Sequence, residues 1–170
     1  MAYSFYDASI LMAKGSLTSL KQMLVEAEKH TNSDTFFNAC LIDDMKPLTF
    51  QVHYAAFSAQ ALAAKLSHQD YDEPSEQLDT YEKMHARVDQ ALTTLAEADK
   101  NTVNQVCEEI TSFRRRDETL EVPVKGVVGL VHMPNIYFHV SMAYAILRKE
   151  GVPLGKRHWS RGFVGDYVRG

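Results

Sequence analysis

The chain has 170 residues, 45% of them hydrophobic and 24% charged, and a formal net charge of -4. That length and composition predict one ordinary globular domain over residues 1–170, able to bury a core without staples. The acidic balance argues against a nucleic-acid partner. No apolar run reaches the roughly 18 uninterrupted residues of a membrane span, and the start, MAYSFYDASI, shows no export signal.

In chain order, a first helix is predicted from Tyr6 to His30, with Leu17, Leu20, Leu24 and Ala27 facing inward and Gly15 tolerated within it. Ser33, Asp34 and Thr35 offer caps for a short helical piece that tucks Phe36 and Phe37 under the body. Cys40, like Cys107 further on, belongs to no CxxC pair and reads as a small inward residue rather than a nucleophile, in a reduced, cytoplasmic protein. Asp43, Asp44 and Pro47 announce a second long helix that extends to Ser67. Its stripe Leu48, Val52, Ala55, Ala59, Leu62 and Leu66 has the rhythm of a bundle seam. A further stripe, Phe50, Tyr54, Phe57 and Ala61, makes this helix central, and His53 lies between the two.

The span from His68 to Asp79 is polar and acidic and reads as a surface loop. A third long helix runs from Thr80 to Ala98, with Tyr81, Met84, Val88, Leu92 and Leu95 inward and His85 on the charged, solvated side. Val103 and Val106 mark a helical turn. Ile110 to Phe113 and Leu120 to Val124 can pair as a hairpin around Arg114, Arg115 and Arg116, a charged turn better read as solvated than as an anion grip.

The stretch from Val127 to Lys149, VVGLVHMPNIYFHVSMAYAILRK, is the most apolar and the most unusual. Val128, Val131, Asn135, Phe138, Met142 and Ile146 keep a helical period, which puts Asn135 where a buried helix would carry Leu or Ile. His132 and His139 project within about 20° of each other, two turns apart, and Asn135 lies one turn before His139. Pro134 removes a backbone donor, so a kink or restart is expected there, and His132 and Asn135 could serve the freed backbone groups. Tyr137 and Tyr144 read as core or dimer contacts. Gly151 and Pro153 end the helix, and the tail carries Trp159, Phe163 and Tyr167, which must cover the body or a second copy, with His158 beside Trp159 as part of that cover.

The strings MPNIYFHVSMAYAILRKEGVPLGKR and DDMKPLTFQV resemble a bacterial and fungal family of unknown function, related to the DinB/YfiT-like metalloenzymes. The similarity runs from Tyr6 to about Arg157. It implies an all-α, up-down-down-up four-helix bundle of DinB/YfiT-like type, commonly homodimeric. To this the residues themselves add a short hairpin or irregular insert before the last helix and an extended C-terminal tail, whose last dozen residues depart from the family. Metal-binding members of the wider superfamily use one histidine of the second helix and an HxxxH pair of the last to hold a divalent ion such as nickel or zinc. Here His53 matches the first and His139 the last of these ligands, but Asn135 replaces the first histidine of the pair. Its amide oxygen suits nickel or zinc poorly, and His132, seven residues from His139, is the alternative third ligand.

Two functions compete on these grounds. In one, Gln51, His53, His132, Asn135, Tyr137 and His139 line a polar pocket between helices that binds a small molecule or fixes helix register. In the other, His53 and His139 hold a metal in a hydrolase or thiol S-transferase. The Asn135 position favours the first.

Overall fold

The computed structural model describes residues 3–75, 77–115 and 117–165, with the backbone only at Arg115. The first helix opens with a π-helical turn, Asp7–Leu11, and continues as α1, Met12–Glu28. Leu17, Leu20, Leu24 and Ala27 are fully buried, as their spacing predicts. A 3-10 turn, Ser33–Asn38, buries Phe36 and leaves Phe37 half-buried. Helix α2, Leu48–Leu66, starts directly after Pro47 and closes through His68, whose φ of 54° is the left-handed conformation usual one residue past a helix end.

Helix α3, Tyr81–Ala96, is capped by Thr80, whose hydroxyl accepts from the Lys83 backbone amide. Helix α4, Lys100–Val106, is capped in the same way by Asp99. Strands β1, Ile110–Arg115, and β2, Glu118–Pro123, form an antiparallel hairpin with Phe113 opposite Leu120. It is two residue pairs longer at the turn than the sequence suggests, with Arg114 opposite Thr119 and Arg115 opposite Glu118. Arg116 lies outside the described residues.

The last long helix is built in three pieces without a break: α5, Val124–Val127, a π turn, Val128–His132, and α6, Met133–Lys149. The expected disturbance at Pro134 takes the form of this π turn, which ends one residue before Met133. A π turn adds one residue and rotates everything after it. The buried positions therefore run Val124, Val127, Val128, Met133, Ile136, Val140, Ala143, Ile146 and Leu147, with a five-residue step in the middle, so Val128 and Ile146 of the predicted inward face are buried as expected. This corrects the predicted inward face: Asn135 and Phe138 are exposed on the opposite side.

Gly151 takes the left-handed φ of 92° that ends the helix. Helix α7, Lys156–Ser160, and a 3-10 turn, Arg161–Phe163, then return to α1. Trp159 stacks on Phe163 and donates its indole N–H to Ser141 at 3.2 Å, so the tail covers the body of the same chain. Tyr167 lies outside the described residues.

Helix α2 packs on α6 and α3, and α1 packs on α3 and α6, so the four long helices stand as a square with α1 diagonal to α2. The fold is all-α apart from the small hairpin. Among the described residues no helix is long and apolar enough to cross a membrane.

Candidate functional site

The N-terminal half of α2 carries the polar residues of interest on two sides of an aromatic stripe. Residues 51 and 53 are about 200° apart on a helix, and Phe50, Tyr54 and Phe57 occupy the arc between them. Phe50 stacks on Tyr54 with ring centroids 4.2 Å apart. The rings of His53 and His139 both rest against Tyr54, at 5.6 and 5.5 Å between centroids. The two helices thus bring both imidazoles to one aromatic side chain, yet each has its own polar partner.

On the α6 side, His139 Nδ1 lies 2.8 Å from Gln51 Oε1, and Gln51 Nε2 donates to the Lys46 carbonyl at 2.9 Å. The second bond fixes which way the amide points, so Oε1 faces the ring and Nδ1 carries the proton. Burial pushes the His139 pKa down to about 4. The ring is therefore neutral near neutral pH, with its Nε2 lone pair not used by this chain of bonds. Through Gln51, α6 holds the backbone of Lys46 just ahead of α2.

On the other side, His53 is 9% exposed. Its Nε2 lies 3.4 Å from Glu73 Oε1, and Tyr54 Oη donates to Glu73 Oε2 at 3.1 Å. The bond to Glu73, followed by burial, raises the Tyr54 pKa, so the phenol keeps its proton. His53 Nδ1 is buried and has no hydrogen-bond partner among the described residues, an uncommon state for an interior polar atom. His53, Tyr54 and Glu73 form one wall of an open cleft of about 760 Å³, with Phe37, Lys46 and Phe50 on the others. That volume falls in the range of small-molecule sites.

The remaining expected site residues lie elsewhere. His132 hydrogen-bonds the Ser58 backbone across the α2 interface and is not spent on its own helix; burial and then the nearby Lys65 lower its pKa. Tyr137 faces the tail, with its ring 6.4 Å from Trp159. Asn135 is exposed to solvent. The six residues do not share one pocket: Gln51 and His139 form one pair, His53 sits in the cleft, and the other three stand apart.

Sequence reasoning missed Lys46, Glu73 and a second polar cluster. Glu73 was hidden in a loop that looks merely solvated. Arg87 is 2% exposed between α2 and α3. It donates to Gln60 and Gln90, while Tyr71 and Thr94 also bond Gln60. The signal was Arg87 three residues after Met84 on an inward face. His85 also departs from expectation: its side chain is only 19% exposed, 3.4 Å from Glu28 on α1.

A divalent ion needs three or four converging donors. Among the described residues no group of three His, Cys, Asp or Glu side chains is placed to hold one. His53 is turned to Glu73, His139 to Gln51, and Asn135 to solvent, so these side chains as they stand do not fit a three-imidazole shell.

These features define the class of protein as a DinB-like helical bundle. The fold is similar to that of a solved DinB family member from Shewanella denitrificans, with a TM-score of 0.77 and 25% identity over 91% of this chain and 90% of that one. The chain itself belongs to the family described as "Domain of unknown function (DUF1993)", whose model matches residues 5–160. No curated protein matches it.

Proposed function

We propose that this protein binds a small molecule in the cleft beside the N-terminal half of α2, with His53, Tyr54 and Glu73 as the recognising groups. The observation that carries the reading is His53: nine-tenths buried, held to a carboxylate on one nitrogen, and without a partner on the other. A buried polar atom left unsatisfied costs on the order of 1–3 kcal/mol; His85 Nδ1 is also buried without a hydrogen-bond partner among the described residues, but of the two histidines it is His53 that lines the cleft. Gln51 and His139 act at one remove, by holding Lys46 at the rim.

A screen of several hundred small metabolites by thermal shift tests this. A ligand present at ~100 times its Kd stabilises the fold by about 2.7 kcal/mol, a shift of several degrees for a chain of this size. Such hits are expected in the native protein and lost in His53→Ala. Hits that His53→Ala leaves unchanged would place the binding site elsewhere. Uptake of zinc or nickel at micromolar concentration, abolished in both His53→Ala and His139→Ala, would instead favour a metal-dependent hydrolase or thiol S-transferase.

The same reading includes a cytoplasmic homodimer formed through the outer face of the last long helix, from Leu130 in its π turn to Phe138 on α6. Leu130 and Phe138 are 67% and 52% exposed, two turns apart, and large exposed apolar side chains in a row mark an interaction surface. Phe138→Glu is expected to turn a dimer into a monomer in sedimentation velocity runs. A native protein that sediments as a monomer at 100 µM concentration, or on the order of that, removes the dimer.

A further inference from the structure

The floor of the cleft carries opposite charges at its two ends. At one end Lys46 Nζ lies 5.6 Å from the centroid of the Phe50 ring. Phe50 stacks on Tyr54, and beyond Tyr54 stands the Glu73 carboxylate. An ionised carboxylate offers about four acceptor positions. His53 and Tyr54 meet one oxygen each, and 44% of the Glu73 side chain stays exposed to receive another donor. The other acid on the lining, Asp79, is already paired with Lys83 at 2.6 Å. Lys46 does not drift freely with respect to this floor, because its carbonyl is tied through Gln51 to His139. The sequence of groups along the floor is therefore ammonium, ring, ring, carboxylate.

We propose that the cleft takes a small zwitterion lying over the Phe50–Tyr54 pair, with its ammonium on Glu73 and its carboxylate on Lys46. This rests on the ligand-binding reading above and narrows it to a chemical class. A simple amine satisfies Glu73 but sets its other end beside Lys46 with nothing to offer. A simple carboxylate satisfies Lys46 and brings an apolar end to Glu73. A molecule carrying both charges, separated by an apolar stretch that covers two stacked rings, meets every group on the floor. This favours an ω-amino acid or a short linear peptide over an α-amino acid, whose two charged groups share one carbon.

Isothermal titration of the full chain with 4-aminobutanoate, 6-aminohexanoate and 8-aminooctanoate, with hexylamine and hexanoate as single-charge controls, tests the assignment. One of the longer ω-amino acids is expected to bind at least tenfold more tightly than either control. Lys46→Gln should erase its advantage over hexylamine, and Glu73→Gln its advantage over hexanoate; both side chains are exposed, so neither variant threatens the fold. An ω-amino acid no tighter than the controls overturns the zwitterion, as does an advantage that survives both variants. If a single-charge control binds as tightly as every ω-amino acid and His53→Ala abolishes that binding, the zwitterion is wrong and the ligand-binding cleft stands. If none of these probes binds, the zwitterion is wrong, and a blank metabolite screen would then remove the cleft as well.

Discussion

The seam between α1 and the tail and the cleft beside α2 are built in opposite ways. In the seam, backbone lies on backbone. The Gly162 amide donates to the Ser19 hydroxyl at 3.0 Å, and a Cβ on Gly162 would stand 2.7 Å from the Ser19 amide nitrogen. A Cβ on Gly15 would stand 2.7 Å from the Phe163 ring. At those two positions there is no room for a side chain between the elements. In the cleft, side chains rather than backbones face each other, and loop residues 73–75 and 77–79 stand off α2 far enough to leave about 760 Å³. Small residues close one side of the bundle, and aromatic and charged ones hold the other open. Stability is concentrated in the first region and binding capacity in the second.

The largest effect that would break this contrast is expected in the seam. Gly162→Ala must push the tail off α1 and should cost about 3 kcal/mol, a fall in Tm of roughly 6–12 °C. Unchanged thermal unfolding would show that the tail is not anchored there. Next comes acid. The folded His139 has a pKa of about 4 against an ordinary 6.5, so the unfolded chain binds its proton first. That contribution is complete above pH 6.5 and is lost as pH falls towards 4. After discounting for partial exposure it amounts to about 2 kcal/mol. Denaturant melts across this range should show the loss in the native protein and a flatter profile in His139→Gln, where His132 still contributes in the same direction.

Gln51→Ala separates the two sides of Tyr54. It strands the His139 N–H and the Lys46 carbonyl, at a cost of about 1–2 kcal/mol, while leaving the His53–Glu73 contact in place. Chemical denaturation measures the cost, and an effect below 0.3 kcal/mol or so would mean that the chain of bonds does not hold α6 to the rim. The smallest effect belongs to Asn135→Ala. Exposed as it is, it should change stability by less than about 0.5 kcal/mol and leave ligand binding in the metabolite screen untouched. A loss of binding would return Asn135 to the site.

The helices were legible because their apolar period is strong. The inward stripes of α1 and α2 appear in the structure almost residue for residue. The outer half of the last helix was misread for one local reason: the π turn at Val128–His132 inserts a residue that a 3.6-residue period cannot anticipate. Asn135 thereby moved from the expected core to the surface, and Met133 and Ile136 took its place inside. Gly15 looked like a tolerated weakness in a helix, and its purpose appears only when Phe163 is laid over it. His53 and His139 were legible as polar residues on adjacent helices. Their partners were not, because Glu73 sits in a loop without periodicity and Gln51 looked like one more pocket residue. Pairings of that kind depend on distant parts of the chain and leave no mark on local spacing.

The most direct test is to map ligand contacts by amide and imidazole NMR while titrating the tightest compound from the metabolite screen. Shifts gathered on Phe37, Lys46, Phe50, His53, Tyr54 and Glu73, with Arg87 and the α1 seam unmoved, are the predicted result. Shifts centred on Arg87 or on the outer face of α6, with the His53 ring unchanged, would contradict it.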